Sequence, residues 1–335
     1  MKIFITGATG YIGTNLALHL ANSGHTVHAL YRSKSKAISL KHNNIKLFEG
    51  NISDTKSLEH AMQSCNGVFH VAAFARVWAK DPKIFFDINV DGASNVLNTA
   101  AQLGVKKIVV TSTAGVFGPS INEAVTEESK KTIDFFTEYE RSKSATEEKI
   151  LDLVSKGQNI VIVNPTRVYG PGLLSVSNAV TRMIKLYIEG KFHIIPGNGK
   201  SIGNYVFIDD VVDGHILAMN KGKPGEKYIL GGTNASYKEF FDTLINVSQK
   251  KYFLFKLPLP FMTATSNLMM LMSKLFGKPP LITPSWVKRL MYDWEISSKK
   301  AENALGYKIT PLAEGMKKTI NWIEAKFHVN NDNLY

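Results

Sequence analysis

Disulfide bonds within the chain are excluded by composition, since its 335 residues hold one cysteine, Cys65. Such sparing use suits a reducing compartment. No long apolar run ending in small residues separates Met1-Lys2 from the first glycines, so a cytoplasmic location is expected rather than a cleaved secretory segment. Acid is also scarce: 28 Asp and Glu stand against 40 Lys and Arg, a formal net charge of +12. The surplus is scattered in pairs such as Lys106-Lys107, Lys130-Lys131 and Lys317-Lys318, with no nucleic-acid-binding motif beside it, so nucleic acid is not an expected partner. Scattered charge reads as solvated surface, with attraction to anionic cofactors or anionic lipid as the functional alternative. Repeats, bilayer-length apolar runs and Cys/His metal spacings are all missing. What remains is an ordinary globular composition, 44% hydrophobic and 20% charged.

The first half alternates short apolar runs with segments of helical spacing. Ile3 to Thr6, Thr26 to Tyr31, Ile45 to Phe48, Val68 to Val71, Ile108 to Thr111 and Ile160 to Val163 read as strands covered on both faces. Several intervening helices end at glycine, in Ser23-Gly24, Leu103-Gly104 and Lys156-Gly157. Repeated βα units predict an α/β fold with a doubly wound parallel sheet. After Pro165 the rhythm breaks into glycine- and proline-rich loops with a helix between them. Ser236 and Glu239 form a capping box, and Thr310-Pro311 predicts a cap and first-turn proline for the last helix. We expect residues 1–168 to build the dinucleotide-binding domain, with 204–233 returning to it. Residues 169–203 and 234–330 mainly form a smaller domain over the sheet's carboxyl edge.

Thr6-Gly7-Ala8-Thr9-Gly10-Tyr11-Ile12-Gly13 follows the first strand and opens the first helix. Gly7 permits a tight turn, Gly10 lets backbone approach a pyrophosphate, and Gly13 packs helix on strand. Gly7, Thr9, Gly10, Tyr11, Ile12 and Gly13 are therefore the expected phosphate-side residues. At the end of the second strand an acidic residue would favour an unphosphorylated ribose. Arg32 stands there instead, with Ser33, Lys34 and Lys36 nearby, which favours NADP(H) over NAD(H). The bland alternative is a solvated basic turn.

Thr113 lies just beyond the fifth strand, and Tyr139 and Lys143 lie four residues apart, on one helical face. A phenol is a poor acid–base catalyst near neutrality, and a neighbouring ammonium brings its pKa nearer the working range. The Thr113 hydroxyl is placed to hold a substrate oxygen against that phenol.

These motifs, with Gly67 to Ala73, Asn89-Val90-Asp91-Gly92, Thr111 to Gly118 and Asn164 to Gly172, come in the order and spacing of the extended short-chain dehydrogenase/reductase family. The chain resembles that family over nearly its whole length. It looks closest to the branch of dihydroflavonol reductases, 3β-hydroxysteroid dehydrogenases and hopanoid-associated epimerases; Val77 to Pro82 and Tyr228 to Gly232 resemble the last group most. The resemblance implies a Rossmann-type sheet with a smaller C-terminal substrate domain. It implies that Tyr139 exchanges the proton, Thr113 polarises a carbonyl, and Lys143 binds the nicotinamide ribose and tunes Tyr139. Ser112 would assist, and Asn89 would support the active-site end of the sheet. Ala72 and Ala73 would line the cofactor channel, Asn51 and Ile52 would lie at the adenine, and Pro165 near the nicotinamide. Trp78, Arg167 and Tyr205 are candidate substrate-side residues. A homodimer is also implied.

Two departures bear on function. Asn51 replaces an aspartate that usually meets the adenine amino group. Gly203 stands where sugar-nucleotide members often carry a diphosphate-binding arginine, which counts against a nucleotide sugar. Met262 to Phe276 is rich in Leu and Met, with Lys256, Lys274 and Lys278 flanking it. Three readings stay open for this segment: a pocket wall for a bulky apolar substrate, a membrane-surface helix, or a core-packing helix. His70 reads as a satisfied strand-end histidine. The expected activity is NADP(H)-dependent interconversion of a carbonyl and an alcohol on an apolar, polyketide- or terpenoid-like molecule. The alternatives are a nucleotide-sugar epimerase or dehydratase with tightly held NAD, and a catalytically idle dinucleotide-binding regulator, whose usual signature is loss of the tyrosine or lysine.

Overall fold

The computed structural model describes residues 1–175 and 178–331, with side chains to Lys326. Its strands in chain order are β1 (Lys2–Thr6), β2 (Thr26–Tyr31), β3 (Ile45–Glu49), β4 (Gly67–His70), β5 (Lys107–Thr111) and β6 (Ile160–Pro165). They continue with β7 (Arg167–Tyr169), β8 (Ile194–Pro196), β9 (Ile202–Phe207), β10 (Lys227–Leu230), β11 (Thr233–Ser236) and β12 (Phe255–Leu257). Seven of them form one sheet in the order β10-β6-β5-β4-β1-β2-β3, with every pairing parallel. Each run predicted as a strand is one, to within two residues at either end.

Successive side chains on a strand point to opposite faces, and here both faces are apolar. Ile3 and Ile5 enter one core while Phe4 enters the other; Val109 is likewise separated from Ile108 and Val110. Helices Tyr11–Asn22 and Ile208–Lys221 cover the first face. Helices Thr55–Met62, Gly92–Gln102 and Glu138–Ser155 cover the second. Burying one such aliphatic side chain is worth roughly 1.5–3 kcal/mol, so continuous apolar strands commit the sheet to this double cover. Gly24, Gly104 and Gly157 end three of the helices at positive φ, as their sequence positions predict.

Strand order reverses between β1 and β4, so the loops after β1, β4, β5 and β6 gather at one carboxyl edge. Beyond β6 the chain builds a second, aromatic-rich core from Tyr169, Tyr187, Tyr205, Phe207, Phe240 and Phe241. It carries a three-stranded sheet, β11-β9-β7, and a two-stranded one, β12-β8. Strand β10 returns to pair with β6. The chain then returns a second time: Ala301, Leu305 and Tyr307 join the first core, and Tyr307 donates to the Gly231 carbonyl at 2.8 Å.

The Ser236/Glu239 capping box forms as predicted. Thr310 departs from expectation. Its hydroxyl and N–H both donate to Asp210, at 2.6 and 2.8 Å, so it ties the last helix to Ile208–Lys221 instead of capping it. The methionine-rich segment forms helix Leu259–Phe276, which buries only Met262, Ser266 and Ser273. Leu268, Leu271, Leu275 and Phe276 are all more than half exposed, so the core-packing reading fails.

Candidate active site

The glycine loop is shaped by close approach. Gly7 has φ +70°, and a Cβ there would lie 2.6 Å from the Ala72 nitrogen. A Cβ on Gly13 would lie 2.1 Å from the Gly7 carbonyl oxygen, so helix and strand meet with no room for a side chain. Helix Tyr11–Asn22 starts with no side-chain cap and no acid in its first turn. Its leading N–H groups therefore present partial positive charge to the carboxyl edge. Such a cradle fits a pyrophosphate.

Helix Glu138–Ser155 owes its start to a capping box. Glu140 accepts from the N–H groups of Phe136 and Thr137, at 3.0 and 3.1 Å, while Thr137 accepts from Glu140 N–H. That fixes Tyr139 in the first turn and Lys143 one turn later. The half-buried Tyr139 phenol is pushed up to about 12 by burial, with the Arg289 charge pulling the other way. Lys143 is 1% exposed, and burial pushes its ammonium down to about 8 against the pull of Glu147. Lys143 Nζ has no hydrogen-bond partner among the described residues. His70 Nε2 is also unpartnered, although Nδ1 meets Thr6 Oγ1 at 2.8 Å. Burial, then the Lys143 charge, push His70 down to about 3, so the two orphaned groups are neighbours. Unpaired buried polar atoms are costly, and these two fit the polar edge of a bound cofactor.

Asn89 is fully buried and links the site's two sides. Its oxygen accepts from Phe74 N–H at 2.7 Å and its amide donates to Ser142 at 2.8 Å. Ser112 has a different task from the one expected. Its hydroxyl donates to the buried carboxylate of Glu147, which also takes Asn164 Nδ2 at 2.8 Å and Lys227 Nζ at 2.7 Å. Ser112 is thereby committed away from substrate. Thr113 is not: its Oγ1 accepts the Gly115 N–H at 3.2 Å, leaving its own proton to donate elsewhere.

Two cavities open here. One of about 50 Å³ is lined by Thr113, Pro165, Arg167, Asn204, Arg289 and Trp294, among others. The second, of about 540 Å³, lies between the Trp78 loop, Thr137-Glu138 and the methionine-rich helix, with Phe85, Phe136, Met270 and Leu271 in its wall. Trp78 and Arg167 thus line separate cavities. Tyr205 is buried, and its hydroxyl accepts from Arg167 at 3.4 Å.

On the cofactor side, Arg32 is exposed at the end of β2, with Lys34 and Lys36. The Asn51 side-chain oxygen accepts the Ser53 N–H at 3.2 Å, which occupies part of the acceptor expected to face adenine. Ile52 buries its side chain in the core, which leaves its backbone to a ligand, while Ile12 is only partly buried against the core. Tyr11 similarly sends its hydroxyl to the Gly170 carbonyl at 3.0 Å. Ala72 and Ala73 follow β4 beside Gly7.

Sequence reasoning missed Arg289, Glu140, Glu147 and Asn164. Arg289 pairs with Glu140 and stacks over Trp294 at 3.7 Å. Glu147 repeats the four-residue spacing of Tyr139 and Lys143, a signal the sequence does carry; nothing local marks Arg289. No cluster of metal-binding side chains occurs among the described residues.

Residues 3–231 match the NAD dependent epimerase/dehydratase family. The chain is 31% identical to sterol demethylase protein B of Methylococcus capsulatus, over 73% of this chain and 74% of that one. It is 28% identical to cinnamoyl-CoA reductase CAD2 of Medicago truncatula, over 98% and 97%. The crystal structure of gox2253 superposes with a TM-score of 0.81 at 29% identity, covering 97% of this chain and 98% of that one.

Proposed function

The chain belongs to the NAD dependent epimerase/dehydratase family and is an enzyme of the short-chain dehydrogenase/reductase type, and from that premise we propose an NADP(H)-dependent reductase or dehydrogenase that interconverts a carbonyl and an alcohol on an apolar small molecule. The observation that carries this reading is the 540 Å³ cavity walled by Trp78, Phe85, Phe136, Met270 and Leu271, which borders the first turn of the Tyr139 helix. The name of one relative, a sterol demethylase protein, points to the same bulky, apolar substrate class.

A bound nicotinamide would supply hydride chemistry at the carbonyl carbon. Tyr139 stays protonated at neutral pH, because burial raises its pKa, and gives that proton to the substrate oxygen. Thr113 donates to the same oxygen, its own acceptor side being taken by Gly115. Lys143 would offer its unpartnered donors to the cofactor ribose. Residues Gly7 to Gly13 would hold the pyrophosphate, and Arg32 would meet a 2′-phosphate. A nucleotide-sugar epimerase fits less well, since Gly203 supplies no arginine of its own where such members often carry one, and Arg167 lies against it. Assaying NADPH oxidation with a panel of hydrophobic ketones and aldehydes tests the reading, and it fails if none is turned over.

The outward face of helix Leu259–Phe276 fits delivery of such a substrate from an anionic lipid surface. No Asp or Glu occurs between Asp242 and Asp293, whereas Lys251, Lys256, Lys274 and Lys278 are exposed around it. Leu271 and Lys274 belong both to this face and to the cavity wall. No helix among the described residues is long and apolar enough to cross a membrane.

A further inference from the structure

Arginine cannot neutralise itself when enclosed, so a guanidinium inside a protein needs a partner of opposite charge. Two arginines line the small cavity beside Thr113. Arg289 has its partner in Glu140. Arg167 has none: no carboxylate among the described residues pairs with it. Its Nη1 donates to two phenols, Tyr237 at 3.3 Å and Tyr205 at 3.4 Å, and its charge lies 5.5 and 5.6 Å from the centres of the Tyr205 and Tyr237 rings. Burial opposes the charge on Arg167, and the two phenols outweigh it, so the group stays cationic.

The guanidinium is held in place by an absence. A Cβ on Gly203 would fall 2.3 Å from Arg167 Nη1 and 2.7 Å from Cζ, so only glycine at that position admits this rotamer. The remaining donors of the fork, on Nη2 and Nε, reach no acceptor among the described residues. They belong to a side chain that shares a cavity of about 50 Å³ with the Thr113 hydroxyl. The space is small but large enough for a planar head such as a carboxylate.

The geometry points to a carboxylate-binding subsite: the apolar substrate of the proposed reductase carries an acid group close to its reacting carbonyl, and Arg167 holds it. A carboxylate matches the free edge of the fork and neutralises the uncompensated charge of Arg167. The inference rests on the reductase reading for its substrate, but the subsite itself does not depend on turnover.

The test pairs 4-oxo-4-phenylbutanoate with its methyl ester, using enzyme saturated with NADPH. The acid is expected to show kcat/KM at least tenfold above the ester. Arg167→Met is expected to abolish that preference, raising KM for the acid at least tenfold more than for the ester. Equal use of acid and ester by the wild type, or a preference that survives Arg167→Met, overturns the inference. Calorimetric titration of the NADPH-loaded protein with 4-phenylbutanoate and its methyl ester separates the two ideas. Acid-selective binding that depends on Arg167, without reduction of either ketone, supports the subsite and defeats the reductase reading. Absence of acid-selective binding defeats the subsite whatever the activity. Gly203→Ala, which displaces the guanidinium without removing it, should lose acid selectivity too, and it replaces Arg167→Met if that variant does not fold.

Discussion

Arg289 reaches back from the far end of the chain to pair with Glu140, the residue that follows Tyr139. One carboxylate therefore caps the Tyr139 helix and anchors the cation whose charge acts on the phenol. Sequence reasoning gave the tuning role to Lys143. In the structure the positive charge that lowers Tyr139 against its burial is that of Arg289, while Lys143 is itself pushed down to about 8.

Removing that charge has a signed consequence. Arg289→Met raises the Tyr139 pKa further, because burial is then unopposed. In the alcohol-oxidising direction, which needs the phenolate, the pH–rate profile should move to higher pH, and Arg289→Lys should bring it back. Pairing Arg289→Met with Glu140→Gln avoids stranding a buried carboxylate. A profile that does not move contradicts the coupling.

Arg32 should discriminate between the two nicotinamide cofactors. Loss of its charged hydrogen bonds to a 2′-phosphate is worth about 1.5–3 kcal/mol. Arg32→Ala should thus weaken NADPH by roughly tenfold to a hundredfold in calorimetric titration and leave NADH unchanged. Equal effects on both cofactors, or none, would return Arg32 to the status of a solvated turn residue.

Acid should unfold this protein through two histidines. Burial holds His70 near 3 and His215 near 4; His215 sits between the Val211 carbonyl at 2.6 Å and Thr111 Oγ1 at 2.8 Å. Both folded pKa values lie below the ordinary 6.5, so the contribution is present above pH 6.5 and is lost as pH falls toward 4 and 3. The loss is roughly 1.4 kcal/mol per pH unit for each histidine. Denaturant melts between pH 7 and 4.5 should show it, and His215→Gln should flatten the slope. A flat wild-type profile contradicts the assignment.

Helix Leu259–Phe276 should bring the protein to anionic lipid. Co-sedimentation with vesicles containing phosphatidylserine is expected, with little binding to phosphatidylcholine alone. Neutralising Lys274 or Lys278 should weaken it by about 1 kcal/mol, roughly fivefold, at low salt. Binding that ignores lipid charge, or none at all, rules the surface out.

What was legible in the sequence was local. Apolar runs, terminal glycines and the capping box each act within a few residues, and β1 to β6 and their helices follow from them. Glu147 was legible too, as the next turn after Lys143. Arg289 was not, because its partnership with Glu140 exists only once the chain has folded back over the sheet. Thr310 carries a capping pattern, yet Asp210 takes its hydroxyl, a competition that no local rule foresees. In the Met262 to Phe276 segment composition announces apolarity but not direction, and the helix turns that face outward. Gly203 marked a missing arginine, while its physical meaning appeared only when Arg167 was found in the vacated space.

The central claim, that Tyr139 supplies the proton for a carbonyl reduction, is tested most directly by comparing wild type with Tyr139→Phe. The readout is NADPH oxidation with a hydrophobic ketone, alongside NADPH affinity for both proteins. The account predicts measurable turnover that falls by roughly a hundredfold or more in the variant, while NADPH binds both equally well. Undiminished turnover in Tyr139→Phe, or redox-neutral conversion of a nucleotide sugar by wild type with no net cofactor use, would contradict it.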